Sequence, residues 1–541
     1  MDVDDGFENF DEVAVAVRPP IPSQAARLSW DVLITVAENA IGLPLLQLMR
    51  TCRILYHAGA PYLLADRDIE VGDSLLRVLS FCTFVLRDPE RRARPLRSLR
   101  LSSRFVVTST ARDQRYLKMA YKMLARVFRY AKNIAFLSIQ DSEEILAGDP
   151  TGTGLSKALS SLRKVTRVEL TDARELTQDA FAEMQAPIEE ADVLFDCSFK
   201  HGFEHPDPAF TFRHAHGSLT SLFIQSYGGE YDFPVPETPF STLRSLHMES
   251  TDPQTSLVSL MQAFPNITSF HWHDHRDEEI SDDVDRWPDN SEELRAQELL
   301  LTADQWARLD VLGAEIMPCY IAGLQSPVRR WSFRSLRVNN VRQFHTVMND
   351  IRPSTLIVEF NANLFDHQED LELFPVFPLK HLRATINLDE GKKPTGRFLE
   401  CMSHALRTLA LTSIALNLCH LIKRKTVFTS LPLNPDGQQS SDEEDSDAGY
   451  NFRMEVVDDM STPDPIRDYL SSMDVTAYAE FLARIVPTLE VISIIHGGDR
   501  QTVRYDDPKW YFHIARSEDG AISIEKLDPE AGEGLFERLA A

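Results

Sequence analysis

From about residue 96 onward, one short pattern recurs along this chain: an apolar residue, two variable ones, then apolar–x–apolar. It is spelled LRSLRL at 96–101, IAFLSI at 134–139, VTRVEL at 165–170, LTSLFI at 219–224, LRSLHM at 243–248 and ITSFHW at 267–272. Further copies are VRRWSF at 328–333, LKHLRA at 379–384, LRTLAL at 406–411 and LEVISI at 489–494, with degenerate ones expected near 191–198, 296–301 and 355–360. The alternation predicts short strands with one apolar face. Between them lie helix-like segments, among them 116–133, 154–162, 256–264 and 477–485. A strand and helix repeated mostly every 24–32 residues can hide their apolar sides only against the next such pair. The pattern therefore predicts an α/β stack, with a parallel sheet as one wall and helices as the other.

This repeat resembles the leucine-rich repeat, although the asparagine-ladder signature N/C-x-L is poorly kept. The resemblance implies a solenoid over about 75–541, with parallel strands on its concave side and helices outside. A doubly wound domain would instead need fewer, longer strands and a glycine-rich turn after the first, which the sequence lacks. Residues between the apolar positions would face the concave wall, where solenoids usually bind. Phe223, His247 and His271 hold equivalent positions on successive strands and are expected to stack about 5 Å apart. An aromatic rung flanked by arginines suits protein recognition, since such side chains dominate hot spots. The substrate-binding candidates are Arg100, Phe136, Arg167, Phe223, His247, His271, His273, Arg330, Arg334 and Arg383.

Ahead of the repeats, residues 28–64 read as two or three short helices. After Ser29, which can cap a helix, Val32, Val36 and Ala40 fall at four-residue steps. A second helix begins after Gly42, with Pro44 in its first turn, where a missing N–H is tolerated. On it Leu45, Leu48, Met49, Cys52, Leu55 and Tyr56 share one face, while Arg50, Arg53 and His57 lie away from it. A unit of about 40 residues is normally too small to stand without a partner. Some of its apolar surface should meet another chain.

The order Leu28, Asp31-Val32-Leu33, Val36, Thr51-Cys52-Arg53, Leu55-Tyr56, Pro61 and Leu64 resembles an F-box of the fungal type. Where the family usually has proline after the first leucine, Ser29 stands here. The resemblance implies docking to the Skp-type adaptor of cullin–RING ubiquitin ligases, through Leu28, Val32, Leu33, Val36, Leu45, Leu48, Met49 and Cys52. An F-box-like module is thus expected over 25–67, after an acidic, disordered tail at 1–24.

Charge narrows the partners. With 56 Lys+Arg against 82 Asp+Glu, the net charge is −26, a field that repels phosphate backbones and anionic lipid. No nucleic acid and no membrane are expected as partners. The six cysteines are scattered without a C-x-x-C pair, which suits reduced, buried thiols. The first residues, MDVDDGFENFDE, lack the positive start and apolar run of a signal peptide. The apolar stretch Leu406 to Ile422, read as helical, is interrupted by Arg407, Asn417 and His420 and so does not suit a membrane span. The expected location is cytoplasmic, nuclear or both. Arg-rich 87–100 and Lys423-Arg424-Lys425 suit solvated basic faces better than import signals.

Little in the sequence suggests chemistry. His271, His273 and His275 alternate in FHWHDHRDEE, so a strand would show all three on one side. Same-side neighbours nearly 7 Å apart do not fit around one ion with ligands at about 2 Å. His201, His205, His214 and His216 add little, and no metal is expected. TGTGLSK at 151–157 lacks the Gly-Lys-Ser/Thr ending of a nucleotide loop. No G-x-S-x-G elbow or H-E-x-x-H motif occurs. Residues 434–449, NPDGQQSSDEEDSDAG, are expected to form a disordered acidic loop carrying Ser440, Ser441 and Ser446, and 276–293 a second acidic insertion. WYFHIARSEDGAISIEKL at 510–527 reads as a hairpin around Asp519-Gly520 that caps the open end. No catalytic residue and no cofactor are expected. The expected role is adaptor work in ubiquitin transfer, with an unknown protein as substrate; the alternative is a ligase-independent interaction scaffold.

Overall fold

In the computed structural model, the strands from Ile69 onward assemble in chain order. The structure describes residues 29–540 apart from 41, 66–67, 108–112, 150–153, 197–206, 228–235, 251–256, 275–289, 302–305, 366–372, 376, 389–394, 421–423, 431–451, 459–464, 499–508 and 518. The tail 1–24, Leu28, His201, His205, His275, Lys423, the 434–449 loop with its three serines and most of 276–293 lie outside the described residues.

The strands are β1 (Ile69–Val71), β2 (Ser98–Leu101), β3 (Phe136–Ile139), β4 (Arg167–Ala173), β5 (Glu190–Asp196), β6 (Ser221–Tyr227), β7 (Ser245–Ser250), β8 (Ser269–Asp274) and β9 (Leu309–Ala314). They continue as β10 (Val328–Leu336), β11 (Thr355–Asn361), β12 (His381–Asn387), β13 (Ser413–His420), β14 (Arg424–Ser430), β15 (Phe452–Asp458), β16 (Val491–Gly498), β17 (Lys509–Arg516) and β18 (Ile522–Leu527). Sixteen of them form one sheet in the order β1 to β13, then β16, β17 and β18, while β14 and β15 pair only with each other. Neighbours are parallel as far as β16, and β16, β17 and β18 are antiparallel. The fold is α/β, built on one open, mostly parallel sheet.

Register explains the order. Ile69, Leu99, Leu137, Val168, Ala191, Leu222, Leu246, Phe270, Leu312, Trp331, Leu356, Leu382, Ile414, Ile492 and Phe512 stand side by side in one row. Side chains alternate across a strand, so this row and the rows two residues along face one way, into a continuous core shared with the helices. Helix Gln114–Tyr130 adds Leu117, Tyr121, Leu124 and Phe128, and helix Val341–Ile351 adds Phe344, Val347, Met348 and Ile351. The buried indoles keep their donors satisfied: Trp306 Nε1 donates to Phe264 O at 2.9 Å, and Trp331 Nε1 to Ala314 O at 2.9 Å.

Several local expectations change. The 296–301 copy belongs to helix Ser291–Leu301, and the missing strand is β9. LRTLAL at 406–411 closes helix Thr395–Leu406 and turns, while the strand is β13, formed by residues read as helical. There LTSIAL at 411–416 spells the same pattern five residues later, so two overlapping frames competed. The sheet also begins before 75, with β1.

The N-terminal residues form α1 (Trp30–Asn39), α2 (Leu43–Thr51) and α3 (Arg53–Ala65). Ser29 Oγ accepts from Val32 N at 3.4 Å, and Gly42 takes a left-handed φ of 69° where the chain turns into α2. Ala37, Leu45, Met49, Leu55 and Ala60 make a small core of their own. A Cβ on Gly59 would stand 2.6 Å from Met49 Cγ, so the glycine lets α2 and α3 approach. Arg92 ties this module to helix Leu75–Leu86, the first helix of the repeat region. Its guanidinium lies 5.3 Å from the Tyr56 ring and 4.4 Å from the Phe84 ring, and Nη1 donates to Phe84 O at 2.8 Å. Among the described residues, no helix is long and apolar enough to cross a membrane.

Arg92 is only 2% exposed, so Arg92→Ala removes a desolvated cation–π contact and leaves a carbonyl without its donor. The expected loss is about 2–3 kcal/mol at the junction. Amides in α3 should exchange faster while those of β7 do not change; equal exchange in α3 would disprove the tie.

Candidate functional site

The face of the sheet opposite the helices carries a second row in register. It runs Glu70, Arg100, Ser138, Glu169, Asp192, Phe223, His247, His271, Gly313, Ser332, Ile357, Arg383, Ala415, Ser493, Tyr511 and Leu527. Adjacent strands lie about 4.8 Å apart, so Asp192 to Arg383 spans roughly 34 Å. Along it the chemistry changes from acidic, to aromatic, to small, to basic. One strip can thus present distinct surfaces to different parts of a bound chain.

Its centre is a ring cluster. Phe223 and His247 have ring centroids 4.5 Å apart, His247 and His271 stack at 5.3 Å, and His273 stands 5.2 Å from His247. Gly313 makes room for this: a Cβ there would sit 2.3 Å from His271 Nδ1. His247 Nε2 lies 3.2 Å from Glu249 Oε1, without hydrogen-bond alignment. That carboxylate favours the imidazolium, but burial weighs more and holds His247 down to about 4, with His273 and His271 acting in the same direction. Burial lowers His271 as well. His247 and His271 are therefore neutral at ordinary pH and, with Phe223, form a half-buried aromatic surface.

The acidic arm is already engaged with the arginines. Arg100 lies 4.9 Å and Arg167 5.2 Å from the Phe136 ring centre. Arg100 pairs with Glu169 at 3.2 Å, and Arg167 with the same carboxylate at 2.8 Å. Burial raises Asp192, with Glu169 adding to the rise, Arg167 opposing it and Glu249 adding a little more. Arg100 and Arg167 do not form a free basic patch. Arg330 is half-buried in the row that holds Thr355 and His381, and His381 Nδ1 lies 2.9 Å from Ser413 Oγ. Arg334 is exposed near the end of β10.

Arg383 is occupied by the chain itself. The C-terminal helix, Pro529–Ala540, lies on the open face, with Phe536 packed against Ala415 and Val491. Arg383 stands 5.4 Å from the Phe536 ring and 3.6 Å from Glu537 Oε1. Sequence reading missed this helix because Gly532 and Gly534 lower helix propensity. The available signal was Asp528-Pro529-Glu530: Asp528 Oδ2 accepts from Glu530 N at 3.2 Å, and proline suits a first turn.

Buried groups elsewhere are structural. Glu143 accepts from Leu176 N at 3.0 Å, Thr177 N at 3.0 Å and Thr177 Oγ1 at 2.9 Å, capping helix Glu175–Ala182. Burial pushes the Cys82 thiol up to about 12 and Cys319 up as well, which makes both poor nucleophiles. Among the described residues, no group of three or more His, Cys, Asp or Glu is placed to hold a metal ion.

A second surface lies on the N-terminal module. Of the nominated residues, Leu45 and Met49 are buried in the module's core, and Leu33, Leu48 and Cys52 are half-buried. Leu45 and Met49 therefore hold the helices together rather than meet a partner. Val32 and Val36 are uncovered, joined by Trp30, Leu43, Leu46 and Ile54, which sequence reading did not nominate; all six are between 36% and 63% exposed. Leu43 and Leu46, three positions apart on α2, were the missed signal of a second apolar stripe. No family model matches the chain, and a comparison with curated proteins finds no match.

The histidine cluster makes stability pH-dependent in a defined direction. A folded value of about 4 below the ordinary 6.5 means full stabilisation above 6.5 and progressive loss as pH falls through 6.5 toward 4. The loss from His247 is at most about 3.5 kcal/mol, at about 1.4 kcal/mol per unit. Urea midpoints of the wild type and His247→Asn at pH 7 and 4.5 should show a smaller acid-induced drop in the variant. An equal drop would refute the assignment.

Proposed function

We propose that this chain is the substrate-recognition subunit of an SCF-type cullin–RING ubiquitin ligase. The N-terminal module would act as an F-box and seat the Skp-type adaptor. The strands would line the concave side of a leucine-rich-repeat-like solenoid, which selects a protein for ubiquitin transfer. The observation that carries this reading is the uncovered apolar surface of α1, α2 and α3. Trp30, Val32, Val36, Leu43, Leu46 and Ile54 stay exposed although the module has its own core and is anchored to helix Leu75–Leu86. Large apolar side chains gathered on so small a unit suit an obligate partner surface.

On this reading the chain supplies no reacting group. It brings two proteins together, and the transfer chemistry belongs to its partners. The aromatic centre at Phe223, His247 and His271 would supply rigid, half-desolvated contacts at low entropic cost, as hot spots do. Work in the cytoplasm or nucleus, where such ligases act, belongs to the same proposal.

A ligase-independent scaffold has one observation in its favour. Leu64 of α3 belongs to the main core, and Tyr56 meets Phe84 edge-on at 6.1 Å, as expected for a cap on the sheet's first edge. A pull-down of the full chain with the purified adaptor separates the two readings. Val36→Asp with Leu46→Asp changes only exposed side chains and should weaken adaptor capture at least about tenfold, equivalent to 1.4 kcal/mol, with circular dichroism unchanged. Leu45→Asp should lose capture through unfolding of the module. No capture by the wild type would leave the cap reading.

A further inference from the structure

The C-terminal helix differs from the helices between the strands. Those feed the main core, whereas its buried side chain, Phe536, joins Ala415 and Val491 in a separate small cluster on the opposite face, flanked by Leu535 and Leu539. Gly532 and Phe536 are buried; Glu530, Glu533, Gly534, Glu537 and Arg538 are exposed. The Arg383–Glu537 pair is a surface contact, 46% and 68% exposed, and such pairs contribute little. Gly532 sits directly on Tyr511, where a Cβ would come within 2.2 Å of Tyr511 Cβ, while a Cβ on Gly534 would meet nothing within 4 Å. The helix fits its seat closely at one residue and is held by one buried aromatic side chain with half-buried Leu535 and Leu539 beside it. A short helix with two glycines has little stability apart from that seat.

We propose that the strip formed by Arg383, Ala415, Val491 and Tyr511 is a docking site for an amphipathic, acidic helix, and that the chain's own C-terminal helix occupies it as a displaceable strap. The seat supplies what such a helix needs. Small Ala415 and Val491 receive the Phe536 ring, Tyr511 lies under the backbone at Gly532, and Arg383 meets both the ring and the acid one position later. Burial raises the Tyr511 hydroxyl, with Glu533 adding to the rise, the Ser493 hydrogen bond and Arg383 opposing it and Glu537 adding a little, so Glu533 and Glu537, one turn apart, put an acidic edge near Arg383 and Tyr511. A partner helix with an aromatic residue followed by an acid would compete for the same contacts. This rests on reading the open face as the recognition surface. In that reading the strap keeps the far end of the face closed until such a helix displaces it.

The test uses the full chain and a labelled peptide of residues 528–541. In the wild type, amides of the C-terminal helix should exchange well before those of β13 and β16, as a local opening. Gly534→Ala should slow that exchange about fivefold, and Phe536→Asp should speed it at least about tenfold. The peptide should bind Phe536→Asp and fail to bind the wild type or Gly534→Ala. In that variant, Arg383→Glu should weaken the peptide. Exchange of the helix together with β13 and β16 would overturn the proposal, as would a Phe536→Asp chain that loses the sheet's thermal transition or ignores the peptide. A dimer formed by trading the helix between copies would overturn it in favour of self-association. Adaptor capture, which depends on Val36 and Leu46 at the other end of the strand order, should be the same in all these variants. Failure of the strap and failure of the ligase reading are thus told apart.

Discussion

A strand such as Phe270–Trp272 or Trp331–Phe333 cannot hide its large rings alone, and every other feature of the molecule follows from how they are hidden. Parallel pairing aligns each apolar residue with its counterpart on the next strand, so Phe270, Leu312, Trp331 and Leu356 bury one another in a row. Helices seal that row from one side only. The same register therefore lays out the residues of the other side in a row too, whether or not they are needed there for stability. The ordered surface is a by-product of a packed core.

What that surface offers depends on neighbours across strands. Arg100 and Arg167 bracket Phe136, yet Glu169 engages both, so most of their charge is compensated locally. His247 is crowded by two more imidazoles and Phe223, and desolvation keeps it neutral. Gly313 interrupts the row of side chains, and the His271 ring fills the gap. The result is a centre suited to apolar and aromatic contact, with charged groups toward its ends.

An open sheet has two edges, and unpaired edges invite unwanted pairing. At the first edge β1 is three residues long, and the N-terminal module is joined to the neighbouring helix Leu75–Leu86 through Arg92 and Tyr56. At the last edge the chain turns antiparallel through β17 and β18 and then sends its final helix back over the open face. The two ends differ in what they leave uncovered. The module exposes apolar side chains to solvent, whereas the final helix covers some. A molecule arranged in this way leaves one apolar surface open to solvent and has another covered by its own chain.

Most strands were legible because the apolar–x–x–apolar–x–apolar spacing states a period of two, and alternation needs no knowledge of neighbours. Where two frames overlapped, at 406–416, spacing could not choose; burial of Ile414 and Leu416 against the strands on either side did. Strand β9 carries the same spacing, as LDVLGA at 309–314, and sequence reading missed it; Gly313, a poor strand former, stands at its variable position. In the module, periodicity marked Leu45, Met49, Val32 and Val36 alike as apolar, and only packing divided them into core and exposed surface. The C-terminal helix was illegible for the same reason: its glycines argue against helix locally, and its seat is formed by Ala415 and Tyr511, which lie on strands earlier in the chain. The sequence by itself determined which residues alternate, and hence that strands and helices stack in chain order. The tertiary structure alone decided which charges are compensated, which apolar groups stay uncovered and where the last helix rests, because each depends on contacts between residues distant in the chain.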